Sequence, residues 1–312
     1  MGFFKFLNKN ILYLSSLCLF VTGSLAVSIQ SRVQYKIVEE NPQKFVTTPL
    51  PILSKNSQNF PVFTAHGVYA IDLDSSVVLY EKNPDQRLYP ASTTKIVTAL
   101  VAMNYFKLDD VINTGTFNTI GQKMGLVWHE NIKFEDLLYG LLIHSGNDAA
   151  EVIADNYPGG KEAFIQAMNE KAHTLSANNT QFRNPAGLDN IEQFTTARDL
   201  VTLSREALKD PEFSKVVSTK SVLAKSIDGK IAHDLSNRNE LLGKVQGVLG
   251  VKTGWTEGAR ENLVTYVDRD NHRVLLAILG STDRFGETKE LVEWIFANYQ
   301  WNSVDSIVLS QK

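Results

Sequence analysis

Three short stretches of the chain carry side chains whose types and spacing could support acyl transfer. Ser92-Thr93-Thr94-Lys95 is the only Ser-x-x-Lys present. Residues three apart share one face of a helix, so the Lys95 amine can reach the Ser92 hydroxyl. Serine becomes a nucleophile once a base takes its proton, and a lysine held away from water can be that base. A helix opening at Ser92 would also aim unpaired main-chain N–H groups at a developing oxyanion. The alternative is a surface Ser and Lys one turn apart. Ser145-Gly146-Asn147 offers a hydroxyl and an amide that could relay a proton and hold a peptide carbonyl. Ser-x-Asn also occurs at Ser54, Ser57 and Ser176, and here it could equally be a turn capping the next helix. Lys252-Thr253-Gly254 follows the apolar run Val248-Leu249-Gly250-Val251. On a strand edge it would present a cation, a hydroxyl and a glycine that lets a substrate backbone approach, or it is an ordinary strand-end turn.

The elements that must position these stretches follow from periodicity. Gly67 to Leu73 and Val77 to Tyr80, separated by Asp74-Ser75-Ser76, read as a hairpin. After Pro90, Ile96, Ala99, Leu100 and Met103 fall on one helical face. Helices are expected near 134–143, 147–156, 160–175 and 196–208. Strands are expected near 248–256, 262–268 and 273–280, the last two joined across Asp270-Asn271. Glu287 to Tyr299 closes the domain with an amphipathic helix carrying Leu291, Val292, Trp294, Ile295 and Phe296. Strands, a helical middle, strands and a helix predict an α+β fold. Its sheet is built from both ends of the domain and flanked by helices, with an all-helical lobe inserted and a cleft between.

Composition narrows the function. Lys and Arg total 31 against 34 Asp and Glu, a net charge of −3 without charged blocks. Nucleic acid is therefore not expected as a partner, because phosphate binding needs a concentrated basic face. The single cysteine, Cys18, excludes a disulfide framework and Cys-based zinc sites. The six histidines show no His-x-x-x-His or His-x-His spacing, so neither metal nor cofactor is expected. Lys5 and Lys9 precede an apolar run from Ile11 to Val27, and 17 to 19 helical residues reach about 26 to 28 Å against the ~30 Å of a bilayer core. Residues 1–30 are expected to be a signal peptide or N-terminal membrane anchor, so the domain is exported, tethered at the membrane or secreted. Residues 31–62, with Pro42, Pro49, Pro51 and Pro61, read as a linker, 63–299 as the catalytic domain and 300–312 as a tail.

Taken together, Ser-x-x-Lys, Ser-x-Asn and Lys-Thr-Gly in that order resemble the signature of the penicillin-recognising serine acyl transferases. Their flanks resemble the low-molecular-mass D-alanyl-D-alanine carboxypeptidases over roughly 63 to 299. These flanks are Pro90-Ala91 before Ser92, Asp136 to Leu142 before Ser145 and Asp148-Ala149-Ala150 after Asn147, Asn184-Pro185-Ala186-Gly187-Leu188-Asp189, Thr195 to Leu200, and Trp255-Thr256 after Gly254. The resemblance implies a β-lactamase/transpeptidase-like fold and cleavage between two D-alanines of a peptidoglycan stem peptide, with β-lactams as inhibitors. It implies Ser92 as nucleophile, Lys95 as base, and Ser145 with Lys252 as the proton relay to the leaving amine. The main-chain N–H groups of Ser92 and Trp255 would form the oxyanion hole. Asn147 would bind the side of the peptide, and Thr253 at Gly254 the terminal carboxylate. Arg238 and Arg284 sit where the family places cations, and a guanidinium suits a carboxylate.

Two departures stand beside the resemblance. Many family members carry a second, all-β domain and a C-terminal amphipathic anchor; both are expected to be absent, with the apolar N-terminus as the tether. A class A β-lactamase would show Ser-Asp-Asn and a Glu-x-x-Leu-Asn loop, whereas Ser-Gly-Asn and no such loop are found. A D,D-endopeptidase acting on crosslinks would use the same residues, and a cell-wall-binding domain could keep the fold without the reaction.

Overall fold

The computed structural model describes residues 48–54 and 60–302. The expected signal or anchor segment and Cys18 lie outside them. The strands are β1 (Leu50–Leu53), β2 (Gly67–Asp72), β3 (Val78–Lys82), β4 (Val111–Asn113), β5 (Asn131–Lys133) and β6 (Ser221–Lys225). They continue with β7 (Ala232–Ser236), β8 (Val248–Thr256), β9 (Arg260–Arg269), β10 (His272–Ser281) and β11 (Tyr299–Asn302). The helices are α1 (Lys95–Met103), entered through a 3-10 turn at Ala91–Thr94, α2 (Phe134–Leu142), α3 (Asn147–Asp155) and α4 (Gly160–Thr174). They end with α5 (Ala197–Ala207), α6 (Pro211–Ser218) and α7 (Arg284–Asn298).

The main sheet has five antiparallel strands in the order β3-β2-β10-β9-β8. Alternate residues of a strand point to opposite faces, and here both faces are buried. Tyr69, Ile71, Val264, Leu275, Ala277 and Leu279 pack with the helices of the long middle segment. Val68, Ala70, Leu263, Val267, Leu276 and Ile278 pack with Leu291, Val292 and Ile295 of α7. This explains why β9 and β10 read as nearly unbroken apolar runs rather than as an alternating pattern. Asp270 and Asn271, both at positive φ, make the tight turn between them.

The lobe inserted between β3 and β8 carries the expected helices but is not all-helical, because short segments outside the helices pair as two hairpins, β4-β5 and β6-β7. The fold extends beyond the expected limits of 63 and 299. Leu50–Leu53, inside the expected linker, pairs antiparallel with Tyr299–Asn302, Leu50 opposite Asn302. Trp301 Nε1 secures this pair by donating to Asp72 Oδ2 at 2.9 Å, and Phe60 packs on Trp294 at 5.0 Å between ring centres. The linker therefore gives up a strand, and so does the tail. Among the described residues no helix is long and apolar enough to cross a membrane.

Candidate active site

Ser92 stands in the 3-10 turn that leads into α1, so Lys95, the first residue of α1, projects from the same side one turn on. Two devices hold that turn. Asn262 Nδ2 on β9 donates to the Tyr89 and Pro90 carbonyls at 2.9 and 3.0 Å, tying the turn to the sheet. The loop 184–189 closes over it, because Gly187, at φ +86°, lies so tightly on the Ala91 carbonyl that no Cβ fits. Asn184 Oδ1 holds this loop by accepting from the Gly187 and Leu188 N–H groups at 2.7 and 2.9 Å.

The Lys95 side chain is completely buried. Its Nζ lies 2.9 Å from Ser92 Oγ, 2.7 Å from Asn147 Oδ1 and 2.6 Å from the Ala186 carbonyl oxygen. As an ammonium it donates to all three. As a neutral amine it keeps two N–H bonds and one lone pair. Asn147 Oδ1 and Ala186 O can only accept, so the lone pair faces the one partner able to donate, the Ser92 hydroxyl. Burial lowers the Lys95 pKa to about 7, against an opposing pull from the carboxylates of Asp148 and Glu151. The amine is thus neutral in a substantial fraction of molecules near neutral pH.

A second lysine–serine pair faces the first. Ser145, at φ +63° in the turn between α2 and α3, accepts from Lys252 Nζ at 2.9 Å. Lys252, on the edge strand β8, also donates to the Thr253 carbonyl at 3.0 Å, and its side chain is buried. Burial pushes its pKa well below the usual lysine value, and the cations Lys95, Arg284 and Arg238 push it further down. Asn147 opens α3 and fixes the opposite wall: its Nδ2 donates to Ile120 O and its main-chain N–H to Gln122 O, both at 2.7 Å.

Above the two lysines lies a cleft of ≈ 620 Å³ whose walls include Ser92, Ser145, Asn147, Thr253, Gly254 and Trp255. Arg238 and Arg284 line it too. Arg284 Nη1 donates to Gly254 O at 2.8 Å, while its buried Nε has no partner. A Cβ on Gly254 would stand 3.2 Å from the Ser92 nitrogen, which measures how closely β8 approaches the nucleophile turn. The Trp255 side chain, 63% exposed, stands at the rim.

The structure thus brings together every predicted site residue, with Lys95 and Lys252 below the cleft floor. Sequence reasoning missed Asp148, completely buried beside Asn147. Its carboxylate accepts from the N–H groups of Met124, Gly125, Leu126 and Ala149 at 2.9 to 3.1 Å, holding the segment that supplies the far wall. It stood in the family-like flank after Asn147 and in the first turn of a helix, but neither signal pointed to its role. The Ala186 carbonyl was missed as well, since main-chain acceptors leave no trace in residue type.

The sequence profile of the D-alanyl-D-alanine carboxypeptidases matches residues 54–283. The chain belongs to this family. It is similar to the D-alanyl-D-alanine carboxypeptidase DacF of Bacillus subtilis, 32% identical over 76% of this chain and 63% of the relative. A D-alanyl-D-alanine carboxypeptidase of Haemophilus influenzae is 34% identical over 77% of this chain and 64% of its own length. The chain therefore spans less than two thirds of the length of these two relatives. Among solved structures, the Streptomyces K15 DD-transpeptidase superposes with a TM-score of 0.73 at 30% identity, covering 77% of this chain and 100% of that one. The likeness confirms the family's β-lactamase/transpeptidase-like fold.

Proposed function

We propose that the chain is a serine D,D-carboxypeptidase that removes the terminal D-alanine from peptidoglycan stem pentapeptides. The observation that carries this reading is Lys95 Nζ, completely buried and 2.9 Å from Ser92 Oγ, with two pure acceptors holding its other protons. Neutral Lys95 takes the Ser92 proton as Oγ adds to the carbonyl carbon of the penultimate D-alanine. The main-chain N–H groups of Ser92 and Trp255 receive the oxyanion. Collapse of the adduct breaks the C–N bond, and the proton held by Lys95 passes through Ser145, which Lys252 holds in place, to the leaving amine, returning Lys95 to its neutral form. Free D-alanine departs. Water, deprotonated by Lys95, then cleaves the ester and restores Ser92. Asn147 holds the flank of the peptide, while Thr253, Arg238 and Arg284 meet its terminal carboxylate across Gly254. The strained lactam of a penicillin enters as a substrate would and acylates Ser92. The apolar N-terminal segment carries the domain out of the cytoplasm, either as a membrane tether or as a removed signal.

Purified protein incubated with a fluorescent penicillin is expected to carry one adduct on Ser92, and to release D-alanine from a pentapeptide. An adduct that persists in Ser92→Ala, or no adduct on folded protein, would overturn the mechanism. Cleavage confined to crosslinked dimers would overturn the carboxypeptidase assignment alone.

A further inference from the structure

A second cavity, of ≈ 410 Å³, adjoins the cleft where β8 turns into β9. Thr256 and Glu257 line the cleft, and the next residues, Gly258 and Ala259, line the second cavity. Asp189 stands between the two: Thr256 Oγ1 donates to its Oδ1 at 2.6 Å and the Gly258 N–H to its Oδ2 at 3.1 Å. Both of its oxygens are therefore engaged.

Two arginines beside this cavity lack a carboxylate partner among the described residues, while Asp189 nearby is held by neutral donors. Arg183, Arg198, Arg269 and Arg273 each meet a carboxylate, and Arg205 is taken up by Ser76 and the Leu73 carbonyl. Arg87 and Arg260 form no ion pair among the described residues. Arg87 lines the cavity, stacked 4.5 Å over the Phe194 ring, and its side chain donates to the neutral Asn179 Oδ1. Arg260 follows the lining residue Ala259, and its Nη1 lies 3.3 Å from Nε2 of His66, which also lines the cavity. Stacking and hydrogen bonding pre-orient the Arg87 fork, which reduces the ordering needed to meet an anion.

Geometry gives the anion an address, which rests on the proposed reaction. With the terminal carboxylate at Arg238 and Arg284, the acyl side of the substrate leaves past Trp255, Thr256 and Glu257. At about 3.3 Å per residue, an extended peptide reaches Gly258 and Ala259 some two to four residues upstream of the scissile bond. We infer that the second cavity is a remote subsite that binds a free carboxylate on the acyl side of the peptide substrate, through Arg87 and Arg260. Ile191 and Tyr89 line the same cavity and would pack against the peptide backbone that carries the carboxylate. Binding there recruits remote interaction energy to hold the reacting bond in place.

The test uses two synthetic pentapeptides ending in D-Ala-D-Ala, one with a free γ-linked D-glutamate carboxylate at its second residue and one with that group amidated. Affinities are measured by calorimetry on Ser92→Ala protein, which makes binding independent of turnover. The acid peptide is expected to bind about three- to tenfold tighter than the amide, the scale of one partly exposed charge-assisted contact. Arg87→Gln and Arg260→Gln should each erase most of that margin and leave the amide peptide unchanged. With Ser92 restored, both variants should be acylated by a small penicillin at the parent rate. Two independent variants guard against loss of folding at Arg87. Equal affinity for the two peptides, or an equal loss for both in the variants, overturns the subsite. D-alanine release by the parent with such a result overturns the subsite alone; failure to bind either peptide overturns the proposed reaction with it.

Discussion

Replacing Asp148 by asparagine exchanges one carboxylate oxygen for an amide nitrogen in a completely buried position. Oδ1 accepts from Met124 and Ala149, and Oδ2 from Gly125 and Leu126. Whichever way the new amide turns, its NH2 group faces two N–H donors that then have no acceptor. A buried donor left unpaired costs about 1–3 kcal/mol, so the pair costs about 2–6 kcal/mol. At roughly 2–4 °C per kcal/mol for a domain of this size, the unfolding midpoint should fall by roughly 5–20 °C. The substitution also removes a negative charge that raises the Lys95 pKa, so the Lys95 amine should lose its proton at lower pH. Asn147 and the wall at Ile120 and Gln122 hang from the same segment, so acylation at the pH optimum should slow as well. Thermal unfolding and penicillin acylation measured across pH read these effects separately. A midpoint within about 1 °C of the parent, with an unmoved acid limb, would refute both the hydrogen-bond reasoning and the assigned electrostatic pull.

In the parent protein the base works only when deprotonated, so acylation should fall about tenfold per pH unit below the Lys95 pKa of about 7 and level off above it. A profile flat from pH 5 to 8 would exclude Lys95 as the base. Lys95→Arg keeps a cation of similar reach that holds its proton throughout this range, and should lower acylation by about 10²–10⁴-fold in a stopped-flow penicillin assay. Gly187→Ala places a methyl group into the Ala91 carbonyl at a left-handed backbone position. It should destabilise the protein by at least about 2 kcal/mol in denaturant titration and displace Ala186 O from Lys95.

The positions of the catalytic-type residues were legible because each needs a particular side chain at a particular offset. A Ser and a Lys three apart at a helix start, or a Gly beside a strand-borne Lys, can be read directly. Helices α2 to α5 were legible through their 3.6-residue periodicity, and the β9-β10 hairpin through Asp270-Asn271. Strands β1 and β11 were not, because four residues containing Pro51 offer too short a pattern, and their pairing joins residues about 250 positions apart. Helix α6 escaped for a related reason: Asp210 caps it and Pro211 opens it, but its buried face is only Phe213, Val216 and Val217. Asp148 illustrates a deeper limit. Its importance lies in main-chain groups 22 to 24 residues away, which only the folded chain brings to it.

The pairing of Leu50 with Asn302 sets how the domain carries mechanical load. Polypeptide enters the described fold and leaves it through the same end of a four-rung antiparallel pair. Tension applied along the two exits peels that pair one rung at a time, as a zipper opens. Such tension would load these four rungs before it reached the five-stranded sheet that carries the nucleophile turn.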